Sequence, residues 1–493
     1  MTPPAATDSH HGWLLLALAV FAAVLALLLA HHEMWRDELQ AWLLARDSGS
    51  LAMLWQNSRY EGHPLLWHLM LFPVAHLAAR PEAMQVLHWM IAVGVAALVL
   101  LRSPFPSWAR VMVVFSYFPL YEYGAISRNY ALTVLGLWLA FAALGRRSSV
   151  FAAAGGGALA ANASPMGLIL APAVAAALWL GAAPRRSRLA ALGLLAAAAG
   201  AGALQCLPPA DYEHARAWVF GWEPVRAAYV GRGLAAAFLP VPEWGLHFWG
   251  SSAIFPGVEP GHPPVPGAVL AGGLLLGAAV AVAFVVRRSR AALAAWGLGV
   301  ASLLAFAYVK FPGALRHWGF VWILLVGVLW LAVGDGGVTR RAGTLVLAPT
   351  LLAGLAGSFV AGWWEWRAPF SDARCAASEL QRQALDKLPL VGGVDWASSG
   401  VAAYLPNGRM FYPASGSEGS FIVWNLARSR KDRLGPTEVV REAATRDRGA
   451  GVVVLLNEPL AAPAALGCRP VFGCAPAIVP DESVFGYVCY GAR

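Results

Sequence analysis

The stretch from Trp35 to Pro64 reads WRDELQAWLLARDSGSLAMLWQNSRYEGHP and separates two apolar segments of the chain. Two adjacent acids, Asp37 and Glu38, follow closely after the first apolar run. A third acid lies next to Gly and His in the sequence YEGHP at residues 60–64, just before the chain becomes apolar again. Lipid solubility does not require this cluster. We therefore interpret the stretch as a functional loop at the point where a membrane helix reaches water.

The composition indicates a membrane protein. Of the 493 residues, 58% are hydrophobic and 13% are charged, whereas about 25% are charged in ordinary soluble domains. A bilayer core takes about 20 apolar residues per helix, so the recurring apolar runs predict a polytopic α-helical membrane protein. The first run could instead be a signal peptide, but it lacks a basic leading region and a small-x-small cleavage site, and we interpret it as a retained helix. The runs are Trp13–Ala30, Ala83–Leu101, Leu189–Leu207, Ala268–Val286, Ala291–Val309, His317–Val333 and Gly343–Gly362.

The basic residues predict which ends of the helices face the cytoplasm. The net charge is +9, but the arginines fall in short clusters between apolar runs, which is the pattern of cytoplasmic loops. A nucleic-acid partner would need a continuous basic surface on a soluble domain, and we expect none. The clusters are Arg102 with Arg110, Arg146-Arg147, Arg185-Arg186 with Arg188, Arg287-Arg288 with Arg290, and Arg340-Arg341.

If all five clusters face the cytoplasm, the helices must run out and back in pairs between them. Counting the first helix, this gives about 11 transmembrane helices, with the amino terminus in the cytoplasm and the carboxyl terminus outside. The apolar stretch Leu65–Ala79 must then not cross, because a crossing would reverse the parity, and we predict an interfacial helix there. The predicted spans are 13–30, 83–101, 108–122, 130–145, 149–162, 165–182, 189–206, 266–286, 291–309, 318–333 and 343–362.

The chain divides into two predicted regions. Residues 1–365 form the transmembrane domain, with long outer segments at 31–82 and 207–265. Residues 366–493 form a small extracytoplasmic α/β domain, in which 388–394 and 451–456 resemble buried strands and 436–446 a helix opened by a proline. Four of the five cysteines lie there, so one or two disulfides are expected in an oxidising compartment, with three full pairings open and free thiols as the alternative. They are Cys375, Cys468, Cys474 and Cys489.

Acids and bases from three separate segments share the predicted outer face. A carboxylate can accept the proton of an acceptor hydroxyl, and the planar fork of arginine can hold a phosphate with two hydrogen bonds. This combination suits a transfer between a phosphate-linked donor and a hydroxyl acceptor. The residues are Asp37, Glu38, Glu61 and His63 in the first outer stretch, Glu122, Arg128 and Tyr130 in the turn 121–130, and Lys310, Arg316 and His317 in the turn 308–318.

The same motifs carry a family resemblance. The strings WRDE at 35–38 and YEGHPL at 60–65 resemble the first outer loop of GT-C glycosyltransferases, closest to the protein O-mannosyltransferase and lipid A aminoarabinose transferase group. The family's second proline is missing after Pro64. The string SRNYAL at 127–132 resembles the family's second outer motif, and the turn at Arg316 resembles a later motif of a bacterial branch. The resemblance covers the first 145 residues well and the rest mainly through topology.

This resemblance implies an enzyme of a bacterial-type cytoplasmic (inner) membrane. It would transfer a sugar from a polyprenyl-phosphate donor to a glycan, lipid or protein acceptor at the outer face. Asp37 would be the base and Glu38 its neighbour, orienting substrate or Arg36, while Arg128 and Arg316 would contact the donor phosphate. No cofactor is required, although some relatives bind a divalent cation, for which Asp37 and Glu122 are the nearest candidates. The remaining substrate-binding candidates are Arg36, Glu61, His63, Tyr130, Lys310 and His317.

Other interpretations remain open for these residues. A transporter or flippase of a lipid-linked or anionic substrate would also combine many helices with a few charges. Asp37 and Glu38 could be a solvated helix start, Arg128 could snorkel at a helix end, and Glu122 could pair with Arg128 as a structural bridge. Most of the 22 tryptophans are typical of interfacial anchors.

Overall fold

Helices make up most of the chain, and a single sheet forms near its carboxyl end. The computed structural model describes residues 8–146, 149–213, 217–255, 266–406, 408–429, 434–474 and 476–491. The helices before the tail are α1 (Asp8–His31), α2 (Arg36–Arg46), α3 (Leu51–Ser58), α4 (Leu66–Leu77), α5 (Glu82–Arg102), α6 (Ser107–Phe115), α7 (Tyr130–Gly145), α8 (Val150–Ala163), α9 (Pro165–Leu180), α10 (Arg185–Gln205), α11 (Pro224–Phe238), α12 (Pro266–Val286), α13 (Arg290–Val309), α14 (Leu315–Gly334) and α15 (Arg340–Glu365).

Six of these helices are long and apolar enough to cross a membrane, within the part of the chain that is described. They identify a membrane protein, as predicted, but they do not reach the eleven spans that the charge pattern predicts. Several of the other predicted spans form apolar helices of 14 to 16 residues, which at 1.5 Å per residue reach less than the ~30 Å hydrocarbon core. The six long helices are α1 from Gly12, α5, α10, α13, α14 and α15.

The predicted span 108–122 is not one helix. Helix α6 ends at Phe115, Ser116 is extended, and a π-helical segment follows from Phe118 to Ala125. Pro119 lies in the first turn of this segment, where its missing N–H costs no hydrogen bond. The wide turn brings the carbonyl of Pro119 to 2.5 Å from where a Cβ on residue 124 would lie, so that position requires glycine. π-Helical turns are rare and frequent at functional sites.

The predicted interfacial helix corresponds to α4, which has 12 residues and an internal Pro73. At 1.5 Å per residue it is about 18 Å long, too short to cross the bilayer core. It packs against α2 through an apolar cluster that includes Trp42, Trp67 and Leu71. The segment 31–82, which we call the first outer stretch because an outer location is predicted for it, is therefore a small packed layer rather than an open loop.

The tail folds around a six-stranded mixed sheet with the order β3-β2-β1-β4-β6-β5. The central strand β1 is parallel to β2 and β4, and the other pairings are antiparallel. The two strands and the helix predicted here are confirmed as β1, β4 and α19. The elements are α16 (Ala373–Arg382), β1 (Leu390–Gly392), α17 (Asp395–Ala403), β2 (Met410–Tyr412), β3 (Ser417–Gly419), α18 (Leu426–Ser429), α19 (Pro436–Ala444), β4 (Val452–Leu456), β5 (Cys468–Gly473) and β6 (Phe485–Cys489).

The tail shares a hydrophobic core with the first outer stretch. Leu39 and Trp42 of α2 belong to the same buried cluster as Leu380, Val401 and Val453 of the tail. Helix α17 packs directly on α2, and Gly400 lies where an added Cβ would come within 3.3 Å of the Leu39 side chain. Because α2 is buried from both sides, its position depends on the tail as well as on the membrane helices.

Two disulfides bridge the tail, in one of the three pairings left open by the sequence. Cys468 and Cys489 are paired opposite each other on β5 and β6, and Cys375 of α16 bonds to Cys474. The fifth cysteine, Cys206, carries no disulfide.

The two disulfides should differ in their effect on stability. They close sequence separations of 99 and 21 residues, and loop entropy predicts about 4.7 kcal/mol for a 100-residue loop against about 3 kcal/mol for 15 residues. We expect Cys375→Ala/Cys474→Ala to lower the free energy of unfolding of the tail by about 1 kcal/mol more than Cys468→Ala/Cys489→Ala. Urea titration followed by limited proteolysis of the tail measures this, with Cys206→Ala as control. The reverse order would contradict it.

Candidate functional site

Asp37 lies in the first turn of α2, two residues after the buried Trp35. Acids are stabilised in the first turn of a helix because the unpaired N–H groups there carry partial positive charge. The side chain of Asp37 is 29% exposed. Its Oδ2 accepts a hydrogen bond from Nη1 of Arg128, and Nη2 of Arg316 lies 3.7 Å from the same oxygen. The three sequence segments that carry the outer motifs therefore meet at this carboxylate.

Glu38 faces the opposite way, into the protein. It is fully buried, and its Oε2 accepts from the backbone N–H of Trp35 at 3.1 Å and lies 2.9 Å from Nε2 of His32. Its Oε1 accepts from the backbone N–H of Ser127 at 2.5 Å. This last bond ties the start of α2 to the residue before Arg128, so Glu38 joins the two outer motifs.

His32 extends this contact into a buried network. Its Nδ1 lies 2.9 Å from Oε1 of Glu365 at the end of α15, and Oε2 of Glu365 accepts from the hydroxyl of Tyr121 at 2.6 Å. Burial alone lowers the pKa of His32, but the carboxylates of Glu38 and Glu365 outweigh it and raise the pKa to about 10. The imidazole is therefore a cation held between two carboxylates, with no solvent exposure on any of the three side chains.

Two arginines are held over aromatic rings on either side of Asp37. The guanidinium of Arg128 lies 5.1 Å from the ring centre of Tyr130, and that of Arg316 lies 5.3 Å from Trp35 and 5.1 Å from Trp249. Such cation–π contacts orient a planar guanidinium without occupying its hydrogen-bond donors.

The same two arginines set the charge state of Asp37. Burial alone would raise the pKa of this carboxyl, but Arg128 and Arg316 outweigh it and hold the pKa below its usual range. Asp37 is therefore ionised at neutral pH.

Glu122 is also buried, but its partners differ from the predicted bridge. Its Oε2 accepts from the hydroxyl of Tyr117 at 2.9 Å and from Nε1 of Trp249 at 3.2 Å, rather than from Arg128. Glu122 thereby orients the indole that supports Arg316. Among the described residues, no group of three or more His, Cys, Asp or Glu side chains is arranged to hold a metal ion.

Glu61 and His63 both lie close enough to Asp37 to interact with its charge. Oε1 of Glu61 accepts from Nε2 of Gln40 at 2.8 Å, and burial raises its pKa to about 7, which the bond from Gln40 opposes and the charge of Asp37 assists. Burial and then the charge of Arg128 lower the pKa of His63 to about 3, so this imidazole is neutral. A carboxyl with a pKa near neutrality can exchange protons at the working pH.

Of three other predicted residues, His317 and Tyr130 contact each other, whereas Lys310 contacts Trp218 instead. His317 accepts from the backbone N–H of Ala314 through Nδ1, so its Nε2 carries the proton that faces the hydroxyl of Tyr130 at 3.2 Å. Nζ of Lys310 lies 4.7 Å above the ring of Trp218. His317 and Tyr130 thus brace the turn that carries Arg316.

Arg36 is directed to the tail. Its Nη2 bonds to Asp481 at 3.0 Å, its Nη1 lies 3.4 Å from Glu482, and its guanidinium stacks on Trp396 at 4.4 Å. Arg36 is therefore next to Asp37 in the sequence, but its side chain contacts residues of the tail rather than Asp37.

A segment of the tail, residues 420–428, closes over the first outer stretch. Ile422 exchanges two backbone bonds with the side-chain amide of Gln40, each 2.9 Å long. Arg428 bonds Asp395 at 2.6 and 2.9 Å and Glu213 of the outer loop at 3.2 Å. Gln40 thus holds Glu61 with one amide hydrogen and the tail with the rest of its side chain.

Several of these residues were not singled out in the sequence. His32 and Glu365 each look like ordinary polar residues at the end of an apolar run, and Gln40 like a polar position on a helix. The only local signal is that ionisable residues beside a membrane span are costly and tend to be paired.

Comparisons of the chain with protein-family models, with curated proteins and with solved structures find no match.

The His32 network predicts a specific dependence of stability on pH. Because the pKa of His32 is raised above its unfolded value, the stabilisation is fully present below about pH 6.5 and is lost as pH rises through about 10. We expect the melting temperature of the purified protein in detergent to fall over this range, and the fall to be shallower in Glu365→Gln. His76→Gln, which alters an exposed histidine, is the control. Equal slopes in wild type and Glu365→Gln would rule the network out as the cause.

Proposed function

We propose that this chain is an integral-membrane glycosyltransferase that moves a sugar from a polyprenyl-phosphate donor to an acceptor hydroxyl at the outer face of the cytoplasmic membrane. The observation that carries the proposal is the meeting of Asp37 with Arg128 and Arg316 at the partly exposed end of the helices. These residues come from the separate motifs that resemble those of GT-C enzymes. The motifs were identified from the sequence alone, so the contact between their residues is an independent observation.

The two arginines fit the phosphate of the donor. Each presents a planar fork of N–H donors that can bind two phosphate oxygens, and each is pre-positioned over an aromatic ring. As the bond between the anomeric carbon and the phosphate oxygen breaks, negative charge builds on the phosphate. Fixed positive charge stabilises that transition state most when the site excludes water.

Asp37 is the proposed base. The acceptor oxygen forms a bond to the anomeric carbon, its proton passes to the Asp37 carboxylate, and the electron pair of the broken bond leaves with the polyprenyl phosphate. In the resting protein the arginines depress the pKa of Asp37. When they turn to a bound phosphate, this effect weakens and the carboxylate becomes a stronger base. Donor binding thus activates the base.

The remaining carboxylates have distinct proposed roles. Glu61, whose pKa is about 7, can take up the proton from Asp37 or bind an acceptor hydroxyl. Glu38 is fully buried with three partners, so we assign it to positioning Asp37 and Arg128 rather than to contact with substrate.

The proposed orientation follows from charge and redox state. Arg146, Arg185, Arg287 and Arg340 lie at the junctions α7–α8, α9–α10, α12–α13 and α14–α15, and clustered arginines between spans mark the cytoplasmic side. Asp37 follows the carboxyl end of α1, which meets the carboxyl end of α15, just before the tail, through the contact of His32 with Glu365. The tail carries two disulfides, which persist in oxidising compartments. Both observations support an outer location for Asp37 and the tail.

Removal of the base should abolish transfer without unfolding the protein. We expect Asp37→Asn to reduce turnover by about a hundredfold to ten-thousandfold, the usual contribution of general base catalysis. Envelope glycans and lipids of a deletion strain, complemented with wild type or variant, are compared by mass spectrometry, with membrane levels checked by immunoblot.

The matched control is Asp47→Asn at the other end of α2, where the acid bonds Arg46 and Ser420. We expect this variant to restore the wild-type glycans. Full complementation by Asp37→Asn would refute the assignment of the base, and a deletion strain without any glycan change would refute the proposed function.

A further inference from the structure

We propose that the tail carries a binding site for an acidic saccharide, in a cleft separate from the Asp37 site. This basic cleft has a volume of about 550 Å³ and is lined by four cationic and two acidic side chains. The inference does not depend on the proposed transfer reaction. The six side chains are those of Lys387, Arg409, Arg446, Arg448, Asp386 and Glu418.

The cleft lies at the edge of the sheet where the three parallel strands begin. Pro389, Gly408 and Gly451 precede β1, β2 and β4, and all three line it. The carboxyl end of β1 leads into α17. Asp395 of this helix bonds Arg428, beside the first outer stretch. The basic cleft therefore opens at the other end of β1 from the contact of Asp395 with Arg428.

Local contacts hold the basic side chains in place. The guanidinium of Arg446 lies 3.2 Å from the ring centre of Phe411, and Nη2 of Arg409 donates to the carbonyl of Glu418 at 3.2 Å. The turn after Arg446 is fixed because Oδ1 of Asp447 accepts from the N–H groups of Gly449 and Gly451, each at 2.8 Å. Both glycines have positive φ, which favours glycine over other residues.

The pattern of charge indicates the class of ligand. Four cations and two acids give the basic cleft a net charge of +2, so it attracts an anion. The two carboxylates would repel a ligand with charge on every unit, but they can accept hydrogen bonds from hydroxyl groups. The guanidinium groups can bind the acid group of a ligand, and the carboxylates can bind its hydroxyl groups. This combination fits a sugar that carries a carboxylate or a phosphate.

Size and shape agree with that class. Small-molecule sites usually span about 300–1,000 Å³, and the basic cleft falls within this range. Leu390 and Leu405, both buried, add a small apolar part to the lining, whereas the ring of Phe411 is covered by Arg446. The basic cleft is therefore mainly polar, which suits a saccharide with its many hydroxyl groups.

Binding to the full-length protein in detergent micelles tests the proposal. The probes are two fluorescently labelled tetrasaccharides, maltotetraose with one glucose replaced by glucuronate, which carries a single carboxylate, and neutral maltotetraose, followed by fluorescence anisotropy at fixed salt. We expect saturable binding of the acidic probe only. Arg409→Gln/Arg448→Gln should weaken it by about tenfold or more, since each removes a charge-assisted hydrogen bond.

The matched control is Arg441→Gln/Arg469→Gln, which removes two exposed arginines elsewhere on the tail. This control should change the affinity by less than about twofold. An equal loss in both double variants would show that only net charge matters and would overturn the proposal. Equal binding of maltotetraose would also overturn it, as would complete competition by inorganic phosphate at the same concentration as the probe, or binding only to vesicles of phosphatidylglycerol.

Discussion

The buried ion network of Glu38, His32 and Glu365 is the interaction on which the rest of the candidate site depends. Burying charge costs several kcal/mol per ion unless each charge is paired and hydrogen-bonded. Here a histidine cation lies between two carboxylates, and the remaining acceptor positions are filled by Trp35, Ser127 and Tyr121. Removal of any one charge would leave the others uncompensated. This stringency fixes the ends of α1, α2, α15 and the π-helical segment in one arrangement.

That arrangement explains why adjacent acids behave differently. Asp37 and Glu38 differ by one methylene and one position in the sequence. The helix turns by about 100° per residue, so one carboxylate points to the partly open side and the other into the core. In the proposed reaction the two adjacent acids therefore have different roles, with Asp37 as the base and Glu38 as the residue that positions it.

The sequence predicted the class of the fold because lipid imposes length and composition on helices independently of tertiary detail. It did not predict that the span at 108–122 would break, since the break depends on Ser116, Pro119 and Gly124 together. The positions of the arginine clusters along the sequence predicted that Asp37, Arg128 and Arg316 lie on the same face of the membrane. The sequence could not identify His32, Glu365 or Gln40, because their roles arise from partners 333 to 382 residues away, which local patterns do not encode.

The anchoring of Arg36 has a consequence for the order of assembly. Its partner Asp481 lies 445 residues later in the chain, and at about 5–20 residues per second synthesis of that distance takes roughly 20–90 s. The segment that flanks Asp37 therefore emerges first but obtains its tail contacts last. Until then α2 lacks the tail residues of its core, and a prematurely terminated chain would insert its helices yet never complete the site. The site can therefore form fully only after the tail has been synthesised.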